Sequence, residues 1–306
     1  MTQRAFLGAG LSVVVLWASA FPAIQVAAPV LGAAWLSVLR LAVAALALLT
    51  AAPFLGVRVP RAGDLGRIVA CGFFGMTAYQ LLLNAGEEHV PAGTASMIVA
   101  AAPLVSVAVA RLLLAERIGT FTVLGSAVAL AGVALVCLAR TGASFSTPVV
   151  VVVAAMVVQG IYHPLQKPLL RTYTGLEVAT YAMVAGTVMT LPALLFAGGG
   201  PRHASAEVWA SAIFLGVFPS ALGFVLWAYA VARLPLAVST SLLYLVPPAA
   251  VLIAWGWLGQ LPTALELCGG VIVIAGVVLL SQGGRIARRR RRRSRPVSPA
   301  PSAART

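Results

Sequence analysis

The sequence predicts an all-α integral membrane protein, with ten transmembrane helices in two inverted five-helix repeats and both termini in the cytoplasm. Three observations lead to this fold class: an apolar composition, an internal repeat and a one-sided distribution of basic residues. The repeat assigns residues 1–140 to a first five-helix unit and residues 141–284 to a second, while residues 285–306 form a basic tail.

The composition is that of a membrane protein. The chain has 306 residues, of which 61% are hydrophobic and 9% charged, and its mean hydropathy is +1.00. Such a chain could not cover a water-soluble fold with charged side chains. A membrane helix needs about 20 apolar residues to cross about 30 Å of hydrocarbon. The candidate spans are 6–28, 33–55, 65–85, 91–114, 121–139, 148–167, 177–197, 209–231, 235–258 and 264–281.

An internal repeat covers nearly all of the apolar chain. Segment 91–135 returns at 235–279 without a gap, shifted by 144 residues, and the shift pairs Gly132 with Gly276. Because each unit holds five spans, an odd number, the second unit must enter the membrane in the opposite sense. Inverted repeats of this kind are typical of secondary transporters, whose halves share one central site.

The basic residues are distributed unequally between the predicted loops. With the N-terminus inside, 18 of the 21 lie on the cytoplasmic side, Arg140 and Arg202 lie outside, and Arg40 is left within the membrane. The positive-inside rule predicts this pattern, so the net charge of +14 does not indicate a nucleic-acid partner. We expect the tail 285–306 to be disordered and attracted to anionic lipid of the cytoplasmic leaflet.

No constellation for a metal, a cofactor or catalysis is predicted. The three cysteines fall inside apolar spans without metal-ligand spacing, and the chain has no ATP-binding loop. Its acidic residues are scattered among loops and span ends. Only Glu87, Glu88 and His89 are clustered, and we interpret them as a solvated outer loop.

The first two spans carry candidate substrate-binding residues. Trp17, Phe21 and Gln25 share one helical face beside Pro22. Since a proline frees a backbone carbonyl, this face should contact protein or a water-filled cavity, and either packing or substrate binding would explain it. Arg40 stands in the body of span two, where a charge costs about 2.5–3.5 kcal/mol. It should face protein or reach the outer surface, either contacting an anion or clamping helices.

Spans three and eight offer complementary faces. Tyr79, Gln80 and Asn84 form one stripe in span three. Hydrogen-bonding side chains on an apolar helix indicate an interior cavity or polar helix contacts. The matching stripe of span eight carries Ser220, Phe224 and Trp227. One half therefore supplies polar groups and the other an aromatic surface.

Spans four, six and nine complete the candidate set. Ser96 lies in a run of small residues, for which helix packing is the default interpretation. Tyr244 is a large amphipathic residue where its repeat partner is alanine. Gln159, Tyr162 and His163 occupy one arc of span six. His163 could carry a coupling proton or be a satisfied interior histidine.

These features together resemble the EamA group of the drug/metabolite transporter superfamily. The resemblance rests on the proline-containing span WASAFPAIQ, the span LSVLRLAVAAL, the hinge LLLAERIGT, the glycine-rich fifth span and the five-plus-five repeat, and it covers residues 6–281. It implies a ten-helix secondary transporter, often an exporter, with a cavity between its halves. The second hinge departs from the pattern, with Gln260 in place of Glu116. The first span also lacks the glutamate that multidrug/proton antiporters of the superfamily use.

The sequence and the resemblance predict an exporter in the cell membrane that moves a small amphipathic metabolite, such as an amino acid, by alternating access. Aromatic walls with a few amides and one cation suit a zwitterion or a weakly polar solute. Two alternatives remain: a polytopic membrane enzyme acting on lipid, and a scaffold that transports nothing. The sequence makes no prediction about oligomeric state.

Overall fold

A computed structural model describes residues 3–114, 120–141, 146–197, 200–233 and 243–293. Within these ranges the chain forms helices and no β-strand. The α-helices are α1 (Gln3–Ala51), α2 (Leu65–Cys71), α3 (Tyr79–Glu87), α4 (Ala92–Val99), α5 (Ala102–Leu114), α6 (Thr120–Thr141), α7 (Thr147–Leu169), α8 (Gly175–Thr190), α9 (Ala206–Leu215), α10 (Gly223–Arg233), α11 (Val246–Leu258) and α12 (Ala264–Arg293). Four short 3-10 helices are Ala62–Asp64, Leu191–Phe196, Pro201–His203 and Leu243–Leu245.

Apolar helices stand at all ten predicted span positions. Six helical segments in the described ranges are long and apolar enough to cross a membrane, and the first of them, Gly8–Ala51, covers two predicted spans. Three shorter apolar helices, Val123–Val136, Leu243–Leu258 and Ala264–Gly276, lie at predicted spans five, nine and ten. The exterior carries exposed apolar side chains such as Leu46 and Leu252, each 64% exposed, which suits a lipid environment. A ten-span count and the sidedness of the termini stay predictions.

Helix α1 changes direction at Gly32, close to the predicted boundary between spans one and two. Gly32 has φ 76° and ψ 155°, a conformation that side chains with a Cβ rarely adopt. A Cβ at this position would meet no atom within 4 Å, so the backbone conformation is what requires glycine.

The 144-residue shift of the sequence repeat is also present in the helices. Two π-helical segments, Gly72–Ala78 and Gly216–Leu222, begin 144 residues apart. The starts of α5 and α11, and those of α6 and α12, have the same separation. The helices of the two repeats therefore begin, or change to π-helix, at corresponding residues.

The two halves pack into each other rather than side by side. Helix α1 packs against α8, α9, α10 and α11, and α3 packs against α7. Helices α6 and α12 contact each other through glycines: a Cβ on Gly132 would lie 2.6 Å from the backbone nitrogen of Val273 and 2.8 Å from the carbonyl oxygen of Gly269. These glycines allow the backbones of α6 and α12 to approach closely.

A peripheral cluster joins the segment after α1 to the start of α8. Arg58 Nε donates to Glu177 Oε1 at 2.6 Å, and its Nη2 donates to Glu177 Oε2 at 2.9 Å. These bonds raise the pKa of Arg58 above its usual value. Glu177 also accepts from the backbone of Thr174 in a capping box, and the Tyr181 hydroxyl donates to the carbonyl of Arg58. Every member of the cluster has a partner.

The basic tail departs from the expected disorder in its first part. Helix α12 continues to Arg293, so residues 285–293 are helical. Arginine is a good helix former, and here it extends a helix already nucleated by apolar residues. Residues 294–306 lie outside the described part of the chain.

Candidate functional site

The main cavity lies between α1, α3, α4, α5, α7, α10 and α11, and its walls are mostly apolar. The cavity has a volume of about 70 Å³, which is enough for several water molecules or a small solute. Nine of the predicted substrate-binding residues line it: Trp17, Phe21, Arg40, Tyr79, Gln80, Ser96, Gln159, His163 and Phe224.

Arg40 is the cationic group of the main cavity, and it is only 3% exposed. Its Nε and Nη2 donate to Ser220 Oγ, both at 3.2 Å, and its Nη1 donates to Asn84 Oδ1 at 3.4 Å. Asn84 in turn donates to Ser37 Oγ at 2.8 Å. No carboxylate of the described residues lies within 4.0 Å of the guanidinium. Its hydrogen bonds therefore go to neutral oxygens, while the buried carboxyl of Glu87 acts on it only through a longer-range electrostatic attraction.

A close helix contact brings Ser220 to Arg40. A Cβ on Gly216 would lie 2.6 Å from Val43 Cβ and 2.9 Å from the carbonyl oxygen of Arg40. Only glycine lets the π-helical segment of the second half approach α1 at this distance. The serine one turn later then reaches the guanidinium.

His163 lies on α7, where this helix packs against α5. A Cβ on Gly160 would lie 2.6 Å from the carbonyl oxygen of Ala102, so glycine is required for this approach. The approach places Ser106 Oγ 3.2 Å from His163 Nδ1 and 2.9 Å from the carbonyl oxygen of Gly160. His163 is 6% exposed and lines the main cavity.

An aromatic cluster packs around this histidine. The ring centroid of Trp17 lies 5.3 Å from that of Phe224 and 5.4 Å from that of Trp227, and Trp227 lies 5.6 Å from His163. Tyr162 contacts both His163 and Phe224 through its ring. These distances are those of favourable aromatic pairs. The cluster therefore fixes the orientation of the cavity wall.

Several buried polar atoms at this wall have no hydrogen-bond partner among the described residues. They include both amide atoms of Gln80, Oε1 of Gln159, Nε2 of His163 and Nε1 of Trp227. Buried polar atoms are normally paired, and an unpaired one costs about 1–3 kcal/mol. Four of these five atoms belong to residues that line the main cavity, where a bound polar molecule or water would find hydrogen-bond partners.

Five predicted residues do not line the main cavity. Asn84 instead supports Arg40, while Tyr162 and Trp227 form the layer behind the wall. Tyr244 is 6% exposed and belongs to the apolar core. Gln25 donates from Nε2 to the carbonyls of Glu87 and Val90, at 2.9 and 2.6 Å, and its Oε1 accepts from Gln260 at 2.6 Å.

The burial of Glu87 shows that the interpretation of Glu87, Glu88 and His89 as a solvated outer loop is wrong. Its side chain is 0% exposed, and neither carboxylate oxygen has a partner among the described residues. Glu88 accepts from the backbone of Ala33 at 2.8 Å, and only His89 is exposed. Gln25 binds the backbone carbonyl of Glu87 and accepts from Gln260, long-range contacts that single-sequence patterns do not show. The spacing of Glu87 from Gln80 and Asn84, on one helical face, was the available signal.

Two serines of the site were not predicted as binding residues. Ser37 lies three residues before Arg40 on the same helix, a spacing that could have identified it, whereas Ser220 comes from the other half. No group of three or more His, Cys, Asp or Glu side chains that could hold a metal ion occurs in the described ranges.

Known proteins of similar sequence are transporters. The model of the EamA-like transporter family matches twice, at residues 5–138 and 146–282. A probable terminal-alkyne amino-acid exporter of Streptantibioticus cattleyicolor is 54% identical over 269 residues, covering 88% of this chain and 91% of that protein. The uncharacterized transporter YdfC of Bacillus subtilis is 33% identical over 263 residues, covering 86% of both chains.

A solved crystal structure has the same fold. It matches with a TM-score of 0.65 at 18% identity and covers 94% of this chain and 99% of its own. Two matches to the family model, which together span most of the sequence, and the identity to named transporters lead to one conclusion. This chain is a multi-pass protein of the cell membrane and belongs to the EamA-like transporter family.

Proposed function

We propose that this protein exports a small amino acid, bound as a zwitterion in the main cavity, by alternating access across the cell membrane. The observation that carries the proposal is Arg40, a buried guanidinium at the cavity wall that no carboxylate of the described residues approaches within 4.0 Å. The α-carboxylate of an amino acid is the anion that this arrangement fits.

The hydrogen-bonding capacity of Arg40 supports carboxylate binding. A guanidinium has five N–H donors in a planar fork that matches the two oxygens of a carboxylate. Its three hydrogen bonds go to Ser220 and Asn84, which leaves donor capacity for a ligand in the cavity. Burial strengthens such a charge-assisted bond because little water competes for it.

The rest of the wall supports a substrate with a small apolar side chain. Trp17, Phe21 and Phe224 supply aromatic surface, and Leu83 and Val99 supply aliphatic surface. The Streptantibioticus relative is named a probable terminal-alkyne amino-acid exporter. A short, linear, apolar side chain of that kind suits these walls, and the name of the relative supports outward transport.

The proposed transport requires ten membrane-crossing helices in inverted repeats, with both termini in the cytoplasm. In that topology the helical arginine run at the end of α12 would lie at the cytoplasmic surface. There it would be attracted to anionic lipid and would hold the C-terminus inside.

A dipeptide-loading assay tests export directly. Cells that overproduce the protein take up a dipeptide of a five-carbon terminal-alkyne amino acid, hydrolyse it, and release the free amino acid into the medium, where it is measured by mass spectrometry. We expect release to be several-fold faster than in cells with the Ser96→Trp variant, whose added ring would fill the cavity that Ser96 lines.

The matched control is Val188→Trp, which adds an indole to a side chain that is 61% exposed on the apolar exterior. It should export like the unmodified protein. Equal release from cells with the unmodified protein and with Ser96→Trp, at equal membrane levels, would contradict the proposal. That result would favour a lipid-modifying enzyme or a scaffold.

A further inference from the structure

We infer that His163 binds the ammonium group of the transported amino acid through Nε2, as a hydrogen-bond acceptor in the neutral Nδ1–H tautomer. This inference rests on the proposed function, and it assigns the second pole of the zwitterion to a residue of the main cavity on a different helix from Arg40.

The tautomer follows from the hydrogen bonds of Ser106. A serine hydroxyl has one proton to donate. Ser106 Oγ lies 2.9 Å from the carbonyl oxygen of Gly160 and 3.2 Å from that of Ala102, and both of these partners only accept. The proton is therefore used on a carbonyl, and toward His163 the hydroxyl can only accept. Nδ1, at 3.2 Å, is then the protonated nitrogen that donates to Ser106.

The other ring nitrogen is consequently an acceptor. No acidic side chain of the described residues lies within 4.0 Å of the His163 ring, so nothing at the site stabilises an imidazolium. In the neutral ring with Nδ1 protonated, Nε2 carries a lone pair. Nε2 is buried without a hydrogen-bond partner among the described residues, and its ring lines the main cavity. A ligand that binds it must donate a proton, as an ammonium group does.

Groups next to His163 are also suited to binding the ammonium group of the amino acid. Gln159, one turn earlier on α7, also lines the cavity and has an unpartnered Oε1 acceptor while being 5% exposed. The rings of Trp17 and Phe224 line the cavity nearby, and aromatic faces attract ammonium groups. Acceptors and aromatic faces on α7, α1 and α10 thus line the same cavity as the guanidinium of Arg40, so the cavity holds groups suited to both poles of a zwitterion.

The test compares an amino acid with its analogue that lacks the amino group. Protein in liposomes exchanges a labelled amino acid, and the unlabelled amino acid and the deaminated carboxylic acid of the same chain compete with it. The ratio of their inhibition constants measures recognition of the ammonium group. A hydrogen bond to a charged group contributes a factor of about 10 to 100 in affinity, so the unmodified protein should prefer the amino acid by about that ratio.

Three variants separate recognition from folding. His163→Leu should lower the ratio about 10-fold, whereas His163→Gln, which keeps an acceptor, should retain most of it. Ser106→Ala keeps the imidazole but removes the acceptor for Nδ1–H, and it should lower the ratio as well. If the His163→Leu and Ser106→Ala variants exchange the amino acid and show the same ratio of inhibition constants as the unmodified protein, the inference is overturned while the proposed function stands. If the unmodified protein exchanges no amino acid, the proposed function fails, and this inference fails with it.

Discussion

Two arginines of this protein are placed in opposite ways. Arg58 is 58% exposed, yet it holds Glu177 with two hydrogen bonds, at 2.6 and 2.9 Å. Arg40 is 3% exposed, yet only neutral oxygens of Ser220 and Asn84 contact it. The arginine that lies mostly in water thus binds a carboxylate of the protein, and the buried one does not.

The difference separates polar groups that hold the fold from those that bind a ligand. A buried charge without a counter-ion destabilises a protein, so a chain selected for stability alone would pair or remove it. In the peripheral cluster Glu177 is satisfied by Arg58 and by the capping box of α8. At the main cavity several polar atoms lack partners. A group with unused hydrogen-bonding capacity at a cavity wall is therefore the better guide to function.

Arg40→Gln should reduce transport more than the other changes, because it removes the only cation that lines the main cavity among the described residues. Loss of one partner of a buried charge pair costs about 2–5 kcal/mol, so initial transport rates at low amino-acid concentration should fall at least about 30-fold. The rates are measured in liposomes at equal protein content. Thermal stability should not fall with them, because the variant removes a desolvated charge. Retention of the unmodified rate would show that Arg40 is only structural.

Ser220→Ala should have an intermediate effect. Ser220 Oγ accepts from two nitrogens of Arg40, and its loss leaves buried donors unpaired, which costs about 1–3 kcal/mol. The guanidinium would also lose its fixed orientation, so we expect the KM for the amino acid to rise about 10-fold. Ser220→Thr keeps the hydroxyl and serves as the control. Equal KM values for the alanine and threonine variants would show that this contact does not orient Arg40.

Arg58→Gln should have the smallest effect. Arg58 is 58% exposed, and the buried Glu177 keeps hydrogen bonds from the backbone of Thr174 and of residue 58 after the change. We expect a small decrease in melting temperature and an unchanged KM, measured by a thermal shift assay and by transport. A large rise in KM would mean that the peripheral cluster acts on the main cavity, and the distinction between the two arginines would then be lost.

The fold was predictable because its causes are local or periodic. Apolar segments of sufficient length, the 144-residue repeat and Arg40 within a span are all visible in the sequence. Membrane solvation forces such segments into helices, whatever their neighbours are. The positions of the apolar helices in the described residues follow from this constraint.

The site was predictable only in part because burial depends on partners from distant segments. Helical spacing places Trp17 and Trp227 on interior faces, but only packing decides that Trp17 lines the cavity and Trp227 lies behind it. Glu87 ends a span, where a sequence cannot distinguish water from a covering loop. In the fold, Gln25 binds the backbone carbonyl of Glu87 and accepts from Gln260, and the Glu87 side chain is buried.

The paired π-helical segments give both halves the same local register change. A π-helical turn contains about one residue more than an α-helical turn and is often found at functional sites. Conversion of Gly72–Ala78 to α-helix would turn the residues after it by about 100° and shift them by about 1.5 Å along the axis. Tyr79 and Gln80 would then leave the cavity wall, and the same change at Gly216–Leu222 would carry Phe224 away from it. The faces that each half presents to a substrate thus depend on a single inserted residue.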